Sequence, residues 1–271
     1  MIRSTTDRAW RTFFTGSAFL LFFLGGLLLS YLVLPVARFG RGTRAEKARR
    51  CRRIVGRAWV LFHDYMRVTR LLRYDARATS LRLPAGPFVM VANHPTLVDV
   101  TALVATTPDI AIVAKRAMFR SPLVGPLLRA CDHIEAGEGG LFAGAVVAEQ
   151  ALRRLRAGTP VLIFPEGTRS PASGVGELRP GAFEIAARSG VPIVPFLITC
   201  DPPTLMRGQP WYAIPARTAV MTVRQLPALD PGGGAAVLAR SLRDTYRQRL
   251  GCAPATAQET TPVTSLAHAG P

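Results

Sequence analysis

The stretch FVMVANHPTLVD occupies residues 88–99 and joins an apolar run to a polar segment. Its first five residues are apolar, and this run predicts a buried β-strand over Phe88–Ala92. The polar segment follows at once, and a helical pattern begins near residue 96. In α/β proteins, sites form in the loops at the carboxyl ends of parallel strands. The order of strand, polar loop and helix therefore predicts both a fold class and the place of a site.

Short apolar runs alternate with helical patterns from about residue 80 onward. The predicted strands are Phe88–Ala92, Ile110–Ala114, His133–Glu135, Val161–Phe164, Ile193–Thr199 and Ala219–Gln225. The predicted helices cover residues 96–106, 119–130, 141–157, 181–189 and 235–249. This alternation predicts an α/β fold over residues 80–250, with a mostly parallel sheet flanked by helices. Residues 251–271 are rich in Ala, Thr and Pro and are expected to form a disordered tail.

An uncharged run extends from Thr12 to Ala37 near the N-terminus. About 20 apolar residues suffice to cross the hydrocarbon core of a bilayer, so the run predicts an N-terminal membrane helix. A signal peptide would have a shorter apolar stretch that ends at small residues, and a buried core helix of this length would be unusual. The sequence leaves open whether the helix spans the bilayer or forms a hairpin within one leaflet.

The formal net charge of +17 is concentrated in the N-terminal part of the chain. Residues 1–80 hold 16 basic and four acidic side chains, whereas residues 81–271 hold 18 and 13. A nucleic-acid-binding domain would more often spread its charge over a folded face, so no nucleic acid is expected as a partner. The residues that follow the apolar run are far more basic than those that precede it. The positive-inside rule therefore predicts that the following domain lies on the cytoplasmic side, and the expected location is the cell inner membrane.

A second helical pattern follows the apolar run and completes a predicted membrane-anchoring region over residues 1–79. Its apolar face consists of Ile54, Val55, Ala58, Trp59, Phe62, Tyr65 and Met66. The remaining surface is predicted to carry Arg52, Arg53, Arg57, Arg67 and Arg70. Such a basic amphipathic helix fits an anionic bilayer surface, or packs on the following domain, or both. His63 and Asp64 are interpreted as structural, because adjacent helical residues point in different directions.

The polar loop after the first predicted strand carries a candidate catalytic pair. His94 lies at the strand end, and Asp99 follows five residues later at the start of a helix. Asp99 can fold back to hydrogen-bond one ring nitrogen of His94, which leaves the other nitrogen to take a proton from an alcohol. This spacing alone arises easily by chance, and a helix cap is the alternative role for Asp99.

A second polar loop, FPEGTRS at residues 164–170, follows the apolar run VLIF. Gly167 permits close backbone approach to a ligand, Thr168 can donate hydrogen bonds, and Arg169 offers a planar guanidinium that suits phosphate. Lys115 ends another predicted strand and would add a point charge at the same edge of the sheet. The alternatives are a polar turn with a solvated Arg169 and a solvated Lys115.

The four cysteines stand at positions 51, 131, 200 and 252, and no two of them form a CxxC pair. The chain also has only four histidines. The sequence therefore gives no support for a metal site, and free thiols are expected on the cytoplasmic side.

Three motifs together resemble the glycerolipid acyltransferases, the 1-acylglycerol-3-phosphate acyltransferase family. NHPTLVD at 93–99 resembles the NHx4D motif of that family, and FPEGTRS at 164–170 resembles its second hallmark. VPIVPF at 191–196 resembles its Val-Pro-hydrophobic-Pro block. The resemblance covers roughly residues 80–225.

The resemblance implies a membrane-associated O-acyltransferase that uses an acyl-CoA or acyl-carrier-protein donor and a lysophospholipid acceptor. His94 would be the general base, oriented by Asp99, and the acceptor oxygen would attack the donor thioester directly. The implied site consists of the catalytic pair His94 and Asp99, the phosphate-binding residues Gly167, Thr168, Arg169 and Lys115, and the supporting residues Asn93 and Glu166. The resemblance implies no metal or organic cofactor.

One block departs from the family pattern. The region SPLVGPLLRACDHIEAGEGG at 121–140 contains Gly125, but it has Glu135 and Glu138 where a cation is expected. Lys115 and Arg116 are candidates to compensate for the missing cation; the alternative is that the acceptor is not a standard lysophosphatidic acid.

Two alternatives to a lysophospholipid acyltransferase stay open at the level of sequence. The segment TCDPPTLMRGQPWY at 199–212 resembles acyltransferases that accompany aryl-polyene pathways, which implies a specialised lipid such as an aryl-polyene conjugate. The other alternative is a non-catalytic membrane lipid-binding protein that keeps the fold.

Overall fold

A computed structural model describes residues 2–74, 81–137 and 143–251 and has a seven-stranded sheet at its centre. The strands are β1 (Leu72–Arg73), β2 (Val89–Ala92), β3 (Ala111–Lys115), β4 (Ile134–Ala136), β5 (Val161–Ile163), β6 (Ile193–Asp201) and β7 (Ala219–Gln225). Their order across the sheet is β1-β7-β6-β2-β5-β3-β4. The strands from β6 to β4 run parallel, whereas β7 is antiparallel to β6 and parallel to β1. The prediction of a mostly parallel sheet flanked by helices is confirmed.

Helices cover both faces of the sheet. They are α1 (Ile2–Leu28), α2 (Leu34–Phe39), α3 (Arg44–Val68), α4 (Asp99–Thr106), α5 (Arg116–Arg120), α6 (Gly125–Ala130), α7 (Ala143–Arg156), α8 (Gly181–Ser189) and α9 (Ala235–Arg249). One core, which includes Phe62 and Leu103, lies between the sheet and helices α3 and α4. The other, which includes Phe183 and Tyr246, lies between the sheet and helices α7, α8 and α9.

Strand β2 is buried on both sides, which explains its uninterrupted apolar sequence. Met90 and Ala92 belong to the core beneath α3 and α4, whereas Val89 and Val91 belong to the core on the opposite face. Alternate residues of a strand point to opposite faces, so a strand covered on both faces needs apolar residues at every position. β2 lies between β5 and β6, and the loops after β2 and β5 therefore meet at one edge of the sheet.

The structure also departs from the predicted elements in two places. The short strand β1 was not predicted, and the predicted helix over 119–130 is divided into α5 and α6. Ser121 adopts an extended conformation before Pro122, because proline disfavours helical geometry in the preceding residue. The expected disordered tail lies outside the described residues from position 252 onward, as does Glu138.

The uncharged N-terminal run forms one long helix. The segment Asp7–Phe39 contains 33 residues and is, by length and composition, long and apolar enough to cross a membrane. A π-helical stretch, Leu29–Val33, joins α1 to α2. Only 11% of the most apolar part of this helix is buried within the protein, so it differs from the core helix of a globular domain.

One side of this long helix packs lengthwise on α3. Near its start, the Trp10 Nε1–H donates to the Thr69 carbonyl oxygen at 3.2 Å. In its middle, the ring of Phe22 stacks on that of Trp59 with 5.7 Å between centroids. At its end, Nη1 of Arg50 donates to the Ala37 carbonyl oxygen at 2.9 Å. The two helices therefore form an antiparallel hairpin held at both ends.

Helix α3 is amphipathic as predicted, but the placement of Arg52 on its basic outer face is wrong. The Arg52 side chain is only 3% exposed, and its Nη2 lies 2.8 Å from Oδ1 of Asp109. Its Nη1 also donates to the Cys131 carbonyl oxygen at 3.1 Å. These partners compensate for the loss of water around the buried guanidinium, whereas Arg53 and Arg57 remain exposed.

Candidate active site

The loop after β2 begins with Asn93, whose buried side chain forms hydrogen bonds with the backbone of β6. Its Nδ2 donates to the Ile198 carbonyl oxygen at 2.9 Å, and its Oδ1 accepts from the Ile198 N–H at 2.7 Å. These bonds continue the backbone ladder beyond the last β2–β6 pair, Ala92 and Phe196. Asn93 thereby fixes the direction in which the chain leaves β2, and His94 follows directly.

His94 and Asp99 are in direct contact. Nδ1 of His94 lies 2.8 Å from Oδ2 of Asp99, the first residue of α4. The Thr96 N–H donates to Oδ2 at 2.6 Å and the Thr96 hydroxyl donates to Oδ1 at 2.5 Å. Asp99 therefore accepts from the preceding loop, unlike a helix cap, which accepts from the helix that follows it.

The fully buried Asp99 fixes the tautomer of His94. Burial raises the pKa of Asp99, and the hydrogen bonds from His94 and Thr96 oppose that rise by favouring the charged carboxylate. A carboxylate only accepts hydrogen bonds, so Nδ1 of His94 carries the proton and Nε2 presents a lone pair. The imidazole side chain is 18% exposed, whereas the Asp99 side chain is fully buried.

The loop after β5 supports His94 from two further directions. The ring of Phe164 stacks on the imidazole with 4.4 Å between centroids and 29° between planes. Oε1 of the buried Glu166 accepts from the His94 N–H at 3.2 Å and from the Ser170 hydroxyl at 2.6 Å. Its Oε2 accepts from the Gly176 N–H at 2.9 Å. Glu166 thus joins the two polar loops and holds its own loop closed.

The turn that contains Gly167 lies beside a cation, Arg179, that the sequence motifs do not include. Gly167 has φ +67°, a left-handed conformation that favours glycine. A Cβ at this position would lie 3.4 Å from the guanidinium carbon of Arg179. Thr168, which follows, is half-buried. The exposed Arg179 therefore lies beside the backbone that the sequence assigns to phosphate.

Part of the Arg169 guanidinium is already occupied. Its Nη1 donates to the carbonyl oxygens of Leu205 and Met206, both at 3.1 Å. A guanidinium has five N–H donors, so Nη2 and Nε remain for an anion. Arg169 is half-buried and is held against a loop, unlike the solvated arginine of the alternative interpretation.

Lys115 lies at the same edge of the sheet. β3 pairs with β5 through Ala111–Val161 and Ile112–Leu162, and continuing this register brings Lys115 level with Pro165. Its neighbour Arg116 is engaged elsewhere, because its Nε lies 3.3 Å from Oε1 of Glu135. Of the two candidate compensating cations, Arg116 therefore pairs with the unexpected acid, and Lys115 is exposed at the strand end.

Seven of the eight predicted site residues lie on loops or strand ends at the carboxyl edge of the parallel strands, and Asp99 is the first residue of the helix that follows the β2 loop. The sequence patterns did not single out Thr96, Phe164, Ser170 or Arg179. The first three lie inside the two motifs. Thr96 bonds Asp99 three residues away, whereas the roles of Phe164 and Ser170 depend on contacts with His94, which is 70 or more residues away. Arg179 lies beyond the second motif, and the sequence has no local signal for it.

Comparison with known proteins agrees with this geometry. The family model described as Acyltransferase matches residues 75–199, which include both polar loops. A 1-acyl-sn-glycerol-3-phosphate acyltransferase of Chlamydomonas reinhardtii is 28% identical over 53% of this chain and 43% of its own length. A 1-acyl-sn-glycerol-3-phosphate acyltransferase alpha of Mus musculus is 26% identical over 83% of this chain and 75% of its own length. These matches support the predicted glycerolipid acyltransferase family.

A solved structure of a glycerolipid acyltransferase has the same fold. The crystal structure of the 1-acyl-sn-glycerophosphate (LPA) acyltransferase, PlsC, from Thermotoga maritima matches with a TM-score of 0.62. The match covers 94% of this chain and 99% of that one at 17% identity, so it concerns the fold. The chain spans less than half the length of the first curated relatives that it matches. The predicted resemblance to glycerolipid acyltransferases is confirmed.

Proposed function

We propose that the protein is a membrane-associated acyltransferase that moves an acyl group from a thioester to the hydroxyl of a lysophospholipid of the 1-acylglycerol-3-phosphate type. The donor is acyl-CoA or acyl-carrier protein. The observation that carries this proposal is the 2.8 Å contact between Nδ1 of His94 and Oδ2 of the buried Asp99. It leaves Nε2 as a base at a strand end, where an alcohol can approach it.

In the proposed reaction, Nε2 of His94 removes the proton of the acceptor hydroxyl as its oxygen attacks the thioester carbonyl carbon. The Asp99 carboxylate stabilises the imidazolium that forms. When the tetrahedral intermediate collapses, the carbon–sulfur bond breaks and the proton passes from Nε2 to the leaving thiolate. The products are an ester and a free thiol, so the reaction needs no metal or organic cofactor.

The acceptor phosphate is assigned to the edge formed by Gly167, Thr168 and Arg169, with Lys115 at the neighbouring strand end. Nη2 and Nε of Arg169 are the donors that remain after its contacts with the two carbonyl oxygens. The exposed guanidinium of Arg179 is added to this set, because it lies beside Gly167. Glu166 and Asn93 support this edge by holding the two loops.

The catalytic test uses purified protein in lipid vesicles that contain lysophosphatidic acid. Long-chain acyl-CoA and acyl-carrier protein are offered separately, and a thiol reagent follows release of the free thiol. His94→Ala is expected to lower the rate by about 10²–10⁴-fold, the usual contribution of a general base, while the melting temperature stays near that of the wild type. Wild-type turnover by this variant would overturn the assigned mechanism.

We further propose that the long N-terminal helix lies in one leaflet rather than crossing the bilayer. Its lengthwise packing on α3 supports this orientation, because α3 carries the exposed residues Arg49, Arg50, Arg53 and Arg57. A spanning helix would carry these charges into the bilayer, and each charge at the centre costs about 2.5–3.5 kcal/mol or more. In the proposed orientation, the two helices form an in-plane hairpin on the cytoplasmic surface of the inner membrane, and the active-site edge faces the lipid.

Thiol labelling from outside vesicles distinguishes the two orientations. Arg8→Cys and Arg41→Cys flank the apolar run, and both positions are exposed. In a background that lacks other reactive thiols, a membrane-impermeant maleimide is expected to label both positions in an in-plane hairpin. A spanning helix would leave one of the two unlabelled until detergent is added.

A further inference from the structure

The segment from Pro202 to Tyr212, which we call the 202–212 loop, contacts both polar loops of the site and the N-terminal helix. We propose that this loop couples the position of helix α1 to the position of the Arg169 guanidinium. Trp211 is then a positioning residue for acceptor binding. This inference rests on the proposed role of Arg169 in holding the acceptor phosphate. It adds a link to a part of the chain far from the motifs.

The N-terminal half of the 202–212 loop is fixed at the site by one carbonyl oxygen that accepts two hydrogen bonds. The Leu205 carbonyl oxygen accepts from the Leu97 N–H at 3.1 Å and from Nη1 of Arg169 at 3.1 Å. The Met206 carbonyl oxygen accepts from the same Nη1 at 3.1 Å. Leu205 has φ +53°, which is uncommon for a residue with a side chain. The loop therefore sets the position of the guanidinium.

The middle of the loop is closed by Gln209. Its Oε1 accepts from the Met206 N–H at 3.0 Å, and its own N–H donates to the Met206 carbonyl oxygen at 3.2 Å. Met206 is thus held by Gln209, and only Pro210 separates Gln209 from Trp211. Displacement of Trp211 is therefore expected to shift Gln209 and Met206, and with them the carbonyl oxygens that hold Arg169.

The second end of the loop rests on α1. The ring of Trp211 meets that of Phe19 edge-on with 5.9 Å between centroids. A Cβ at Gly16 would lie 4.0 Å from Cζ3 of Trp211, an ordinary contact distance. An alanine fits at Gly16 without displacement, whereas a larger side chain there would displace the indole. Because Gly16 has no side chain, Trp211 of the 202–212 loop can lie directly against α1.

These contacts predict that loss of the packing between Trp211 and α1 weakens acceptor binding without a matching loss of kcat. Trp211→Ala and Gly16→Leu are expected to raise the KM for lysophosphatidic acid by about ten- to hundredfold, the weight of one charge-assisted hydrogen bond. kcat at saturating acceptor should change by less than about twofold, because His94 and Asp99 are untouched. With monoacylglycerol, which has no phosphate, the variants and the wild type should have equal KM values. Trp211→Phe, which keeps an aromatic ring against Phe19, should restore most of the affinity.

Matched controls separate this role from general membrane affinity. Trp10 is 49% exposed and Trp211 is 48% exposed, but the hydrogen bond of Trp10 goes to the carbonyl oxygen of Thr69, directly after α3. Trp10→Ala, Gly16→Ala and Gly25→Leu should therefore leave the KM near the wild-type value. In an Arg169→Ala background, Trp211→Ala should add nothing further. An equal rise in KM for Trp10→Ala and Trp211→Ala, or unchanged KM in Gly16→Leu, would overturn the proposal.

Failure of the coupling and failure of the proposed function give different results. If the wild type releases no thiol with any donor or acceptor, the proposed function fails. The coupling is then measured by the rise in melting temperature that lysophosphatidic acid causes in detergent micelles. The wild type and Trp10→Ala should show this rise and Trp211→Ala should lose it, whereas an equal rise in all three would contradict the link.

Discussion

His94 is held from three directions, and each contact controls a different property of the imidazole. Asp99 fixes the tautomer, Phe164 fixes the plane of the ring, and Glu166 with Ser170 fixes the backbone. A general base must lie within hydrogen-bond reach of the proton it abstracts. Loss of the ring contact alone should therefore lower the rate while the base itself is still present.

We expect Phe164→Leu to lower kcat by about tenfold, since small displacements of reacting groups cost up to about 10²-fold. Thiol release by purified protein in vesicles measures this effect. Phe183→Leu is the matched control, because the same substitution there affects only the fully buried core on the opposite face of the sheet. It should lower the free energy of unfolding with little change in kcat. Equal kcat values for both variants would mean that stacking does not orient His94.

The sequence predicts the identity of the site residues better than their contacts. His94, Asp99 and Arg169 follow short apolar runs that predict strands, so their shared edge follows from the α/β pattern. Glu166 reaches the backbone of His94 across 72 residues of chain. Such contacts depend on the register of β2 on β5, which apolar runs without alternation do not specify.

At the scale of elements, helices α3 and α4 cross at Gly56. A Cβ at this position would lie 2.4 Å from Cβ of Pro108 and 3.3 Å from the Val104 carbonyl oxygen. The two helices can therefore approach only where a side chain is absent. This close approach fixes the C-terminal end of α4, and the residues directly after it, against α3.

Gly56→Ala is expected to lower the free energy of unfolding by about 1–3 kcal/mol, the usual cost of overpacking. Urea denaturation followed by circular dichroism measures the change. Gly144→Ala on α7 is the control, since nothing lies within 4 Å of a Cβ there, and it should be neutral or slightly stabilising. Equal stability of Gly56→Ala and the wild type would show that the crossing adjusts without cost.

The elements follow from the sequence for a simple reason. The central strands are buried on both sides and appear as uninterrupted apolar runs, so β2, β5 and β6 are predicted close to their observed bounds. Strand β1 has only two residues, and its pairing with β7 joins segments more than 140 residues apart. The inward direction of Arg52 depends on Asp109, which lies 57 residues away. Neither feature has a local pattern.

At the scale of the whole molecule, two buried histidines make stability depend on pH. Burial lowers the pKa of His63 from 6.5 to about 4. Burial, with Arg52 and Arg154 nearby, lowers the pKa of His133 to about 3. Between these values and 6.5 the unfolded chain binds more protons than the folded one. Stability from these groups is therefore complete above pH 6.5 and is lost as the pH falls toward the folded-state values.

From pH 7 to pH 5 the free energy of unfolding should fall by about 4 kcal/mol from the two histidines together, because each contributes about 1.4 kcal/mol per pH unit once the pH is below 6.5. Urea denaturation at several pH values measures this slope. His63→Gln keeps a donor for the Thr101 hydroxyl, which lies 3.0 Å from Nε2, and should remove about half of the slope. The same slope in this variant would show that His63 does not titrate on unfolding.

The hairpin of α1 and α3 has a consequence for the order of events during synthesis. Ser30 in the first helix donates to the Leu123 carbonyl oxygen, 93 residues later in the chain, and Gly16 faces Trp211, which is translated later still. At roughly 5–20 residues per second, the nascent first helix waits about 10–40 s for Trp211. During that interval its apolar surface has lipid as its natural partner. Under the proposed membrane association, we therefore expect the N-terminal helix to bind the bilayer before the residues that it contacts in the finished fold have been translated.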